Sequence, residues 1–196
     1  METLSTPKIT TEAYLEQERQ SQEKHEYHDG TIIPMSGASI PHNFIVSKLI
    51  RLLGNILEDE REEFSVFGSD LKVFVPSFNS FVYPDVVVVQ GEPEVTDEQK
   101  DIVTNPLIVV EVLSKSTEAR DRGDKFEAYR TIESLREYML VSQEKPHIEV
   151  FSRDSTSDMW KLTEASGLDS SIKLPALALD LSLEEVYAKV KFEKKA

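Results

Sequence analysis

The apolar positions of the chain concentrate in two short runs. Val86-Val87-Val88-Val89 follows Tyr83-Pro84-Asp85, and Leu107-Ile108-Val109-Val110-Glu111-Val112-Leu113 follows a polar loop. Unbroken, β-branched runs of this length predict strands buried on both faces. Upstream, Ile45, Leu49, Leu52, Leu53 and Ile56 recur at helical spacing, so a helix opened by Ser39 and Pro41 is expected to pack on the sheet. A shorter helix is expected over residues 10–20, capped by Thr10 or Thr11. Residues 23–28 and 31–35 flank Asp29-Gly30, a strong hairpin signal. Alternation in the first arm puts Glu26 and His28 on one face, opposite His25 and Tyr27.

Residues 64–75 read as one strand with a bulge at Gly68-Ser69-Asp70. A turn at 77–80 then leads into the strand after Asp85, which predicts a meander of three strands. Residues 91–105 form an acidic loop, with a short helical turn expected near 97–100. A helix is expected over 117–132 and strands over 136–141, 147–151, 159–162 and 172–174. A terminal helix over 183–190 follows, with tails at residues 1–8 and 192–196. The fold class is α/β: a mixed sheet flanked by helices, in a single domain, with a β-rich C-terminal extension over 152–196. Neither a repeat nor a low-complexity segment interrupts it.

Charged residues inside the two apolar runs change the picture. Asp85 opens the first strand and Glu111 lies near the end of the second. Antiparallel pairing brings a start and an end to the same edge, so the two carboxylates converge. A buried ionised carboxylate is costly unless paired or bound to a metal. Capping by a backbone amide or an arginine answers for one such acid. Two converging acids suit Mg²⁺ or Mn²⁺, which prefer hard oxygen ligands. Asp121, Lys125 and Tyr129 recur every fourth residue, a step that rotates by about 40° and keeps all three on one helix face. A solvated ion pair beside an aromatic ring is the plainer reading of that stripe. However, this helix must cross back over the sheet, which aims Lys125 at the carboxylates. Asp70 either adds a carboxylate to the same edge or serves its own turn. Lys115 lies in a turn and is expected to face water.

Pro84-Asp85, Glu111 within Val110-Glu111-Val112, the turn from Ser114 to Thr117, and then Asp121, Lys125 and Tyr129 resemble the PD-(D/E)XK nuclease superfamily. The resemblance is closest to the branch of restriction-endonuclease-like proteins expanded in cyanobacteria, and it covers roughly residues 23–151. The superfamily lysine normally lies two residues after the acid; that position is Leu113 here, and Lys125 matches the relocated lysine of the branch. The resemblance implies a restriction-endonuclease-like core. It implies Asp85, Glu111 and the Val112 carbonyl as ligands of Mg²⁺ or Mn²⁺, and hydrolysis of phosphodiester bonds in DNA. Lys125 would orient the attacking water or stabilise developing charge, with Asp121 and Tyr129 holding it. Glu26 would approach the metal, against a plain solvent-facing hairpin acid, and His42 would stand beside the ligands.

Composition bounds these expectations. The chain of 196 residues has no cysteine, which excludes a disulfide framework and thiolate chemistry. No apolar run is long enough for a membrane span and no signal-peptide layout is present, so a cytoplasmic location is expected. The net charge of -14 argues against a general nucleic-acid binder. From Lys115 to Arg136, however, six basic residues outnumber five acidic ones, leaving this stretch the least repulsive to a phosphate backbone. DNA binding is therefore expected to be weak and salt-sensitive. A homodimer would suit cleavage of both strands. Two other readings remain open on sequence: a nuclease-like fold that only binds a protein partner, and a metal-dependent hydrolase of a small phosphate ester.

Overall fold

The two valine-rich runs form adjacent antiparallel strands in the interior of a six-stranded sheet. The computed structural model describes residues 8–60, 63–96 and 99–192. In chain order the elements are α1 (Thr11–Gln20), β1 (His25–His28), β2 (Thr31–Pro34), α2 (Ile40–Glu60), β3 (Phe64–Gly68), β4 (Lys72–Val75), β5 (Ser80–Val82) and β6 (Val86–Gln90). There follow β7 (Ile102–Val103), β8 (Pro106–Leu113), α3 (Glu118–Arg120), a π turn (Asp121–Lys125) and α4 (Phe126–Tyr129). The chain closes with β9 (Glu137–Ser142), β10 (His147–Arg153), β11 (Trp160–Ser166), β12 (Ser171–Leu174), β13 (Leu179–Ser182) and α5 (Leu183–Val186).

The central sheet has the order β11-β10-β9-β8-β6-β3. β6 pairs antiparallel with β8, with Val86 opposite Val110, and β8 runs parallel to β9. The unbroken apolar runs follow from this position, because both faces are covered. Val86, Val88, Ile108, Val110 and Val112 pack against Ile45, Leu49, Leu53 and Leu57 of α2. Val87, Val89, Val109 and Leu113 face the other way, onto Ala128, Tyr129, Ile132 and Leu135. Strand parity puts Glu111 on that second face, beneath the helix that carries Lys125.

A second, five-stranded sheet has the order β2-β1-β5-β4-β7. It corrects the expected meander. Residues 64–75 are two strands in two sheets, not one bulged strand: β3 pairs with β6, and β4 with β5. Gly68, Ser69 and Asp70 are three consecutive turn formers, and they carry the chain between sheets instead of bulging it within one. The turn before Asp85 is a single 3₁₀ turn, Pro76–Phe78, closed by Asn79 at φ 43°. Tyr83-Pro84-Asp85 is then the crossing back into the central sheet, at a proline that has no N–H to give to a ladder.

Elsewhere the segmentation differs in detail. The helix expected over 117–132 is broken by the π turn and ends at Tyr129. β11 joins the central sheet as its edge strand. β12 pairs with β13, a strand that apolar periodicity did not mark, and α5 ends at Val186, short of residue 190. β7, two residues inside the acidic loop, was likewise unmarked. The helical turn expected near 97–100 lies partly outside the described residues, as do most of both tails. Among the described residues no helix is long and apolar enough to cross a membrane.

Candidate active site

The convergence of Asp85 and Glu111 follows from β6–β8 pairing. The Asp85 N–H donates to the Val110 carbonyl at 3.1 Å, continuing the ladder by one residue past Val86. Its side chain turns back, and Oδ2 accepts the Val112 N–H at 2.7 Å. The same oxygen lies 3.2 Å from His42 Nε2, at the start of α2. His42 is placed there by Ser39, whose Oγ accepts the His42 N–H at 3.2 Å and so caps the helix. The other imidazole nitrogen, Nδ1, is buried and has no partner among the described residues.

Glu111 is 4% exposed. Its Oε1 accepts from Lys125 Nζ at 3.0 Å and from the Tyr129 hydroxyl at 3.1 Å. Tyr129 thus serves Glu111 directly, where the helix stripe suggested a contact to Lys125. Lys125 Nζ also lies 3.1 Å from Glu26 Oε1 and 3.4 Å from Asp121 Oδ1. Glu26 comes from β1 of the other sheet and is 2% exposed. Its carboxylate accepts the Tyr83 N–H at 3.3 Å and lies 2.7 Å from Arg120 Nη2. The π turn puts Asp121 and Lys125 on one wall; such turns often mark functional sites in helices. The Tyr138 hydroxyl fixes that turn by donating to the Asp121 carbonyl at 2.9 Å. These residues border an open cleft of about 600 Å³ that also reaches the loop from Met35 to Ser39.

Electrostatics here are tightly coupled. Burial pushes the Glu111 carboxyl well above its ordinary range; Lys125 opposes the shift, while Asp121, Asp85 and Glu26 add to it. Asp121 is raised for the same leading reason, with Lys125 again opposing. Burial alone would lower the Lys125 ammonium, but Glu111, Glu26 and Asp121 more than reverse it. Glu26 goes the other way: burial would raise it, yet His28, Lys125 and Arg120 bring it down to about 2. Four carboxylates thus face two permanent cations around one cleft. Asp85 Oδ1 and Glu111 Oε2 accept no hydrogen bond among the described residues. Two hard oxygens without partners, beside an excess of negative charge, fit a divalent cation of the Mg²⁺ type.

Asp70 is not brought to this cluster, which corrects its place among the candidates. Its side chain is 96% exposed and pairs with Lys24 in the turn between β3 and β4, because the sheet switch points it outward. A second group went unnoticed in the sequence. His147, Glu149 and Glu164 bring ligand atoms within 4.8 Å of one another on β10 and β11. The readable signal was parity: positions 147 and 149 share a strand face. Arg122 grips both Glu149 oxygens, at 2.5 and 2.8 Å, and holds that carboxyl below its ordinary range, while His147 Nε2 lies 2.9 Å from Oε1. That grip occupies the oxygens a metal would need and ties the lysine-bearing helix to the sheet edge. Arg120, in the cleft, also escaped the sequence reading.

A mixed sheet whose paired central strands deliver Asp85 and Glu111 beneath a lysine-bearing helix defines a restriction-endonuclease-like fold. The chain belongs to the Uma2 family, described as "Putative restriction endonuclease", whose profile matches residues 11–185. Two proteins of Synechocystis sp. (strain ATCC 27184 / PCC 6803 / Kazusa) are similar over nearly their whole length. Protein sll1609 is 40% identical over 174 residues, covering 88% of this chain and 97% of its own. Protein slr1290 is 34% identical over 186 residues, 95% of each. Among solved structures, one described as a "putative nuclease belonging to DUF820" from Anabaena variabilis ATCC 29413 shares the fold. Its TM-score is 0.73 at 17% identity, over 92% of this chain and 98% of that one. Family and fold make this a nuclease-like protein.

Proposed function

We propose that this protein is a metal-dependent endonuclease that hydrolyses phosphodiester bonds in DNA, with Mg²⁺ or Mn²⁺ held by Asp85, Glu111 and the Val112 carbonyl. The observation that carries the reading is the pairing of Asp85 with Glu111 in one cleft, each with one oxygen left without a partner. A cation bound there would lower the pKa of its water and offset charge building on the phosphate. The protein's own groups prepare that position. The Val112 N–H and His42 fix the Asp85 carboxylate. Tyr129 and Lys125 take up Glu111 Oε1 and so direct Oε2 away from themselves. Lys125, on the helix above Glu111, opposes the pressure to protonate that carboxylate and holds it with Glu26 and Asp121 around the site.

Plasmid cleavage at low salt tests the reading. Wild type with Mg²⁺ or Mn²⁺ is expected to nick or linearise supercoiled DNA. Asp85→Ala and Glu111→Ala are expected to be folded and inactive. Cleavage that survives either substitution, or no cleavage by wild type, contradicts the proposal.

A further inference from the structure

A phosphate entering the cleft needs hydrogen-bond donors that are not already committed, and Lys125 has none to spare. An ammonium offers three N–H groups. Lys125 Nζ already faces three carboxylate oxygens, at 3.0, 3.1 and 3.4 Å, and its side chain is 8% exposed. The other cations nearby, Lys24 on the cleft wall among them, are engaged with other partners. Lys24 Nζ donates to the Ser69 carbonyl at 2.8 Å and pairs with Asp70. Arg122 is held by Glu118 and Glu149. Lys115 is 83% exposed beside Glu144.

Arg120 differs. It stands in α3, one residue before Asp121, and lines the same cleft. Its side chain is 27% exposed, enough to be reached and buried enough to be aimed. Glu26 Oε2 and His28 Nε2 both contact Nη2. Nε and the two N–H groups of Nη1 have no partner among the described residues. A planar guanidinium anchored at one nitrogen presents its remaining donors as a fork, the geometry that suits two phosphate oxygens. Glu26 and His28 anchor it from the second sheet, so the fork is held before substrate arrives.

Building on the nuclease reading above, we infer that Arg120, not Lys125, grips the DNA phosphate at this site. Lys125 then works as a positioning residue for the three carboxylates. Arg120 supplies the charge-assisted contact that places a phosphodiester against Asp85 and Glu111. This division resolves a difficulty of sign: an acidic cleft still needs one fixed, exposed cation to receive an anionic backbone.

The test is equilibrium binding of a short labelled DNA duplex across a salt series. Ca²⁺ replaces Mg²⁺ so that no strand is cut, and a separate Mn²⁺ titration is run without DNA. A residue that neutralises one phosphate contributes about one to the slope of log affinity against log salt. Arg120→Gln is expected to lower the slope by about one and weaken binding, with Mn²⁺ affinity unchanged. Arg120→Lys keeps the charge and is expected to keep the slope, while losing affinity with the fork. If Arg120 only braces Glu26, Arg120→Gln lowers the melting temperature and leaves the slope at the wild-type value; that result overturns the inference alone. A lowered slope in Arg120→Lys also overturns it. Wild type that neither binds the duplex nor takes up Mn²⁺ overturns both this inference and the nuclease reading.

Discussion

Lys125 Nζ sits among three carboxylates, and its removal would leave them facing one another in a buried space. Breaking a buried ion pair by deleting one partner commonly costs about 3–5 kcal/mol. Lys125→Met is therefore expected to lower the metal-free melting temperature, and Mn²⁺ should restore much of it by replacing the lost charge. Turnover should fall by about 10²–10³, as much as losing one stabilising donor, because Glu111, Glu26 and Asp121 lose the charge that positions them. Lys115→Met, at an exposed turn, should leave melting and turnover near wild type. A thermal scan with and without Mn²⁺, beside single-turnover cleavage, checks both; equal melting for Lys125→Met and wild type contradicts the account. At this scale much of the site was legible. Asp85, Glu111 and Lys125 could be read from strand position and helix spacing, which are local. Glu26 was legible only through the resemblance, because β1 reaches Lys125 from another sheet. Arg120 was not legible, since its contacts to Glu26 and His28 depend on how the two sheets meet. Asp70 was misleading for the same reason: apolar alternation does not say to which sheet a strand belongs.

β6 and β8 were plain in the sequence because a strand covered on both faces must be apolar at nearly every position, which also makes Glu111 stand out. β3 and β4 were merged, and β7 and β13 missed, because two- to five-residue strands carry little periodicity. The π turn was invisible for another reason: one extra residue per turn leaves the i, i+4 pair of Asp121 and Lys125 in reach of each other either way. β9 carries a titratable group that the active site does not use. Glu137 is fully buried; its Oε1 accepts the Ala176 N–H at 3.0 Å, in the turn between β12 and β13, and Oε2 has no partner among the described residues. Burial raises its carboxyl from 4.5 to about 7, against the Ala176 and Ser152 hydrogen bonds. Between those values the unfolded chain has released a proton that the folded one still holds. Stability from this group is therefore complete below pH 4.5, falls as pH rises, and levels off above about 7. The loss amounts to roughly 3 kcal/mol. Glu137→Gln should abolish that decline, melting higher than wild type at pH 8 and similarly at pH 4 (approximate settings on either side of the window). Parallel pH profiles for the two proteins would show that Glu137 is not the source.

For the molecule as a whole, a net charge of -14 sets the terms on which any nucleic acid can approach. The helical segment with Arg120 and Lys125 is the part least repulsive to DNA, and a divalent cation would further invert the local sign at the carboxylates. Low salt and bound metal should both favour binding. On the proposed reading the metal belongs where β6 begins and β8 ends, at Asp85 and Glu111, and not at the other ligand group, on β10 and β11. Anomalous scattering from a crystal soaked in Mn²⁺ decides this most directly. A peak is expected at the Asp85 and Glu111 carboxylates, and none at His147, Glu149 and Glu164, where Arg122 already takes both Glu149 oxygens. A peak on that second group, with no density between Asp85 and Glu111, would contradict it.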